Sequence, residues 1–297
     1  MLSLTICFPG RFTFIMKRLT KFSILLSFSI LALSCSKQQN ASAATSTPSQ
    51  QLNDTGITWG ANYPRGNNKD CSAKLINDPS QKQLTPITNI LEQQDCKIGR
   101  DTISKNGNGF AYKKVGPKGE YLEPNAKTWS CVLDSISGLL WENKKNPNES
   151  SPIELHGADD IFTWYSGNIK ANGGHIGDWN SEFAKCIGYK NDQPETFCNI
   201  NAFVDRVNNE GLCGFTDWRV PTRQELESII NYGRAMPSIN EDYFPYTKSE
   251  YYWSQSPSAE NNKTAWVINF RLGHSETQLR SNPQRVRLVR NATPHTP

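Results

Sequence analysis

An α+β domain is what this chain predicts: two helices set against a short antiparallel sheet, with long loops stapled by disulfides. Three observations carry that expectation. A helix start is written in full at Thr222, the run Thr264 to Leu272 sets Trp266, Ile268, Phe270 and Leu272 on one face by strand alternation, and six cysteines fall in the exported part of the chain. Thr222 is placed to cap a helix while Glu225, three residues on, reaches back to the N–H of the cap residue. Leu226, Ile229 and Ile230 share one helical face and require burial, with Trp218 and Val220 expected in the same core. Gly233 is expected to close that helix as a left-handed residue.

The N-terminus carries an address. Met16-Lys17-Arg18-Leu19-Thr20-Lys21 is a basic segment and Phe22 to Leu33 an apolar one, too short to span a bilayer comfortably. Met16 is the expected true start. The run ends at Leu31-Ala32-Leu33-Ser34-Cys35, which resembles the lipobox of bacterial lipoproteins; an ordinary secretory signal with an incidental cysteine is the competing reading. Residues 1–34 then form the signal peptide, Cys35 carries the lipid, and residues 35–56 form a polar, disordered tether. Two acyl chains hold a protein on a membrane where one is marginal. Ser36 after the cysteine, by resemblance to lipoprotein sorting, points to the outer membrane of the cell envelope.

Cleavage before Cys35 removes Arg11, Lys17, Arg18 and Lys21 and no acid, so 32 basic residues fall to 28 against 28 acidic. A net charge near zero gives no footing for nucleic acid. Setting aside Cys7 and Cys35, the cysteines are Cys71, Cys96, Cys131, Cys186, Cys198 and Cys213. An even number in an exported chain reads as disulfides, with fifteen possible pairings. The expected set is Cys71–Cys96, Cys131–Cys213 and Cys186–Cys198, contributing about 3 to 5 kcal/mol each. A zinc site competes with this reading, but no Cys-x-x-Cys and no His pair at ligand spacing supports it, so no metal or cofactor is expected.

A single domain is expected over 57–292, followed by a tail at 293–297. Residues 58–127 read as loops and short strands. Trp129 to Leu133 and Leu139 to Glu142 read as a hairpin with Gly138 late in its turn. Residues 144–198 form a long polar insertion pinned by Cys186–Cys198. Asn201 to Asn209 follows as a helix with Phe203, Val204 and Val207 inward and Gly211 ending it. The last third is strand-rich. Tyr251 to Ser256 is one strand; in Thr264 to Leu272, Trp266, Ile268, Phe270 and Leu272 face one way and Ala265, Val267, Asn269 and Arg271 the other; Arg285 to Val289 is the last.

Five segments together resemble one family: SCVLDSISGLLWENK (130–144), GLCGFTDWRVPTRQELESIINY (211–232), YYWSQSP (251–257), TAWVINFRLG (264–273) and QRVRLVR (284–290). They resemble the Lcl C-terminal domain family, named for a collagen-like bacterial surface adhesin, over roughly residues 128–291. The resemblance implies a fold related to C-type lectins and to the formylglycine-generating enzyme, and a binding role at the cell surface. The Gly-X-Y repeats of that adhesin are absent from this sequence.

No catalytic constellation stands out. His156, His175, His274 and His295 sit in unrelated segments, and Glu154 with Asp159-Asp160 reads as a solvated acidic loop. Glu123-Pro124-Asn125 and Trp179-Asn180 are faintly similar to lectin calcium and sugar motifs, at the wrong spacing. The binding candidates are Tyr251, Trp253, Arg271, His274, Arg285 and Arg287, with Tyr252, Trp266 and Arg280 nearby: aromatic faces for sugar rings and arginine forks for anionic groups. The competing reading makes Trp253 and Trp266 core and the arginines a solvated face balanced by Glu241, Asp242, Glu250 and Glu276. The sequence thus points to a non-catalytic, surface-anchored lipoprotein with an anionic glycan or a surface protein as its partner. An enzyme on the related fold and a purely structural envelope component are the alternatives.

Overall fold

A computed structural model describes residues 53–62, 66–68, 94–95, 99, 109–146 and 155–292. The signal peptide, Cys35, the Cys71–Cys96 pair, Glu154, His295 and the tail lie outside the described residues. The architecture is α+β with few helices and small antiparallel sheets. A short hairpin pairs β1 (Gly60–Asn62) with β2 (Gly66–Asn68). A four-stranded sheet has the order β3 (Tyr112–Val115), β4 (Cys131–Asp134), β5 (Leu139–Glu142), β9 (Val289–Asn291). A three-stranded sheet has the order β6 (Tyr251–Pro257), β7 (Thr264–Asn269), β8 (His274–Leu279). Helix α1 spans Ile200–Glu210 and helix α2 spans Arg223–Glu227.

The predicted hairpin forms, with Val132 opposite Trp141 and Leu133 opposite Leu140. Helix α1 starts on Asn199, whose side chain accepts from the Ala202 N–H at 2.8 Å, and ends where Gly211 turns to φ 80°. Helix α2 has the predicted capping box: Thr222 accepts from the Glu225 N–H, and the Glu225 carboxylate accepts from the Thr222 N–H at 2.7 Å. It is much shorter than expected. The chain leaves the helix at Ser228, and Gly233 is not its left-handed cap. Gly233 serves a close approach instead: a Cβ there would collide with the backbone of Gly56, because the Tyr232 N–H donates to the Thr55 carbonyl at 2.8 Å. Asn53 also donates to the Ser228 carbonyl at 3.1 Å. The end of the stretch assigned to the tether is therefore docked on the domain.

Among the described residues, two hydrophobic cores hold the fold. Trp218 and Val220 join Trp164, Phe203, Trp253 and the Cys131–Cys213 bridge in the first. Leu226, Ile229 and Ile230 join Phe244, Tyr252 and Phe270 in the second. Strand β7 divides them. Ala265 and Val267 point into the first core and Ile268 into the second, so both of its faces are buried. The strand also stops at Asn269, whose side chain accepts from the Arg271 N–H at 2.7 Å and turns the chain, leaving Leu272 on the surface.

The last strand is displaced from its expected place as well. Residues 285–288 are not a strand; they are a suture. The Arg285 N–H donates to the Tyr251 carbonyl, the Arg285 carbonyl accepts from Trp253, and the Leu288 carbonyl accepts from Glu142. Only from Val289 does regular pairing begin, with Trp141. This stretch ties the two sheets together, and that position governs the fate of its arginines.

Candidate functional site

The six predicted binding residues part company. Tyr251 and His274 do meet: Tyr251 pairs with Asn269 and Asn269 with His274 across the sheet, and their rings stand edge to face at 6.4 Å. Arg271 is exposed in the adjoining turn, and His274 Nε2 lies 3.5 Å from Glu276. Trp253, Arg285 and Arg287 are buried and cannot offer a face or a fork to an incoming ligand. The Trp253 indole donates to the Phe162 carbonyl at 2.8 Å. Arg285 reaches Glu250 at 2.8 Å and the Ala158 carbonyl. Arg287, fully buried, donates to the Glu142 carbonyl and to Thr247 Oγ1, both at 2.7 Å. Arg280 is buried over the Trp164 ring at 3.9 Å. The reading of these arginines as a solvated face is overturned too: hydrogen bonds to carbonyls make their burial tolerable.

Behind Arg287 lies a charged cluster. The Glu142 carboxylate accepts from Lys144 at 2.9 Å and from the Leu288 N–H at 2.8 Å, and sits 2.7 Å from His156 Nδ1. Burial pushes this carboxyl up, but Lys144 and His156 outweigh it and hold the group at about 2. Only one of the two acids read as a solvated loop is in water. Asp159 bonds Lys248 at 2.7 Å on the surface, whereas Asp160 is buried and burial raises its carboxyl to about 6. His175 accepts from the Gly177 N–H at 3.0 Å. Among the described residues, no group of three His, Cys, Asp or Glu side chains could hold a metal ion.

The predicted Cys131–Cys213 and Cys186–Cys198 bridges are both present. The second closes the end of the polar insertion, and on that insertion stands an aromatic platform. Trp179 is 52% exposed and Tyr189 42% exposed, yet both rest on the buried ring of Phe197, at centroid distances of 5.0 and 5.8 Å. The Tyr189 hydroxyl lies 3.2 Å from the Asn191 amide oxygen and 3.4 Å from that of Asn180. The Trp179 carbonyl accepts from Asn199 at 2.7 Å, so the cap of α1 also fixes the platform. Arg206, nearly two turns into that helix, donates to the Ile187 carbonyl at 2.8 Å. Two rings half in water are thus fixed from below and from both sides.

This geometry defines a class: a disulfide-stapled α+β domain that presents rigid aromatic and amide groups on a long pinned loop. The model of the Lcl C-terminal domain family matches residues 130–290, more than half of the chain, and the protein belongs to that family. No curated protein and no solved structure matches it.

Proposed function

We propose that this protein is a non-catalytic, surface-anchored lipoprotein of the outer membrane that binds glycan through the Trp179–Tyr189 platform. The observation that carries the reading is that pair of half-exposed rings on one buried support, with Asn180 and Asn191 beside them. Ring faces pack on the C–H faces of sugars, and amides serve their hydroxyls. Rings already fixed lose little freedom on binding. A C-type-lectin-like arrangement, in which a long loop carries the ligand and the sheets only support it, accords with this division. The loop from 165 to 198 carries Lys170, Lys185 and Lys190 against Asp178, Glu182, Asp192 and Glu195. That balance favours a neutral sugar over the anionic glycan expected from the arginines. Lipid on Cys35 would hold the domain at the membrane. The test is a glycan array probed with the full chain, repeated with Trp179→Ala and Tyr189→Ala. Saturable binding to neutral oligosaccharides, lost in both variants at temperatures where each remains folded, supports the reading. Binding that survives both, or no glycan retained at all, contradicts it.

A further inference from the structure

Lys114 is buried to 8% exposure at the wall of an open cleft of about 730 Å³. Its ammonium lies 3.8 Å from the centroid of Trp129 and donates to the Ala126 carbonyl at 2.8 Å. An ammonium has three protons, and among the described residues no carboxylate lies within ion-pair reach of this one. Other buried cations are served differently: Lys144 has Glu142 at 2.9 Å, Arg290 has Asp217 at 2.6 Å, and Arg280 donates to three carbonyls. Lys114 thus rests on one carbonyl and on the rings of Trp129 and Tyr243, the second at 5.9 Å, with its charge turned to the cleft and no anion against it among the described residues.

The same cleft is lined by an acid short of a cation. The Asp242 N–H donates to Asn240 Oδ1 at 3.1 Å, fixing the turn, but its exposed carboxylate makes no ion pair among the described residues. Burial, and after it Lys127 in the same cleft, lowers the Lys114 pKa; Asp242 opposes them through space without touching the ammonium. Glu241, beside it, has only a loose 3.9 Å pairing with Arg234. The walls are tied together, since the Trp129 indole donates to the Tyr243 carbonyl at 2.9 Å. The volume falls in the range of about 300–1,000 Å³ that holds small ligands.

We infer that this cleft binds a small zwitterion of the amino-acid or short-peptide class, its carboxylate on Lys114 and its ammonium on Asp242. The inference is independent of the glycan reading, because it uses no residue of the Trp179 loop. The test is calorimetric titration of the full chain with the dipeptide Ala-Phe, its N-acetyl form and its C-terminal amide. Each blocked form is expected to bind at least about tenfold more weakly, the loss associated with removing one charge from a close pair. Lys114→Met keeps the stem over Trp129 and removes the charge; it should weaken Ala-Phe about as much as amidation does, and amidation should then cost little more. Asp242→Asn, on the surface, should do the same for acetylation and keeps the test open if Lys114→Met fails to fold. No binding of Ala-Phe, equal binding of the blocked forms, or variants that do not pair with their blocked ends would overturn the proposal. So would loss of dipeptide binding in Trp179→Ala.

Discussion

Arg285 and Arg287 lie on a segment that joins two sheets, whereas Trp179 and Tyr189 lie on a loop fixed by one disulfide and one helix cap. Both regions combine aromatic rings with polar groups. In the first, the arginine forks are turned inward onto carbonyls, Thr247 and Glu250, although the Arg287 Nε is buried with no hydrogen-bond partner. In the second, one ring face is consumed by Phe197 and the remainder is left to water. Residue type alone does not separate a site from a brace. What separates them is whether the chain around the residue already supplies the partners a ligand would bring.

The comparison can be pressed hardest at the bracing side. The Cys131–Cys213 bridge closes a sequence separation of 82 residues inside the first core. Replacing both cysteines by serine should cost about 4.5 kcal/mol by loop-closure entropy, measured by urea denaturation. The 12-residue Cys186–Cys198 loop should cost about 3 kcal/mol by the same relation, and its loss should reach glycan binding where the first need not. Arg287→Ala strands the Glu142 carbonyl and Thr247 without a donor, and should cost about 1 to 3 kcal/mol for each acceptor left unsatisfied.

A smaller effect has the opposite sign. Asp160 has a raised pKa in the folded state, about 6 against an ordinary 3.8. The folded protein therefore binds this proton more tightly than the unfolded chain. Stability from this group is full below about pH 4 and is lost as pH rises through 6. Asp160→Asn keeps an acceptor for the Ile187 N–H and removes the penalty. Near neutral pH it should stabilise by about 1 to 2 kcal/mol, and the gain should vanish in melts run below pH 4. Glu142 runs the other way: held at about 2, it stabilises above its ordinary 4.5 and that contribution is lost as pH falls through 2.

Much of the frame was legible because it rests on local chemistry. The capping box at Thr222, the hairpin around Gly138 and the Asn199-to-Gly211 helix are written in neighbouring residues. The family was legible too, from segments that recur in order. What could not be read is what distant segments do to one another. Strand β7 alternates in sequence, but a second core built from Leu226, Phe244 and Tyr252 covers the face that one core would leave exposed. The arginines read as surface because the carbonyls that receive them come from Glu142 and Ala158, over a hundred residues away. The platform had a signal: Trp179, Phe183 and Tyr189 are large rings in a polar stretch just before and inside a disulfide loop. A long loop rarely spends such residues on solvent without a reason.

Trp179→Ala beside Arg287→Ala separates binding from bracing in one experiment. Both variants of the full chain would be melted and then probed on the same glycan array. Trp179→Ala should lose about 0.5 to 1.5 kcal/mol of stability, the range for an aromatic pair such as the one with Phe197, while abolishing glycan binding. Arg287→Ala should melt far earlier, yet bind with unchanged affinity at temperatures where it remains folded. Retained binding in Trp179→Ala, or binding lost by folded Arg287→Ala, would return the site to the arginine strand and contradict this account.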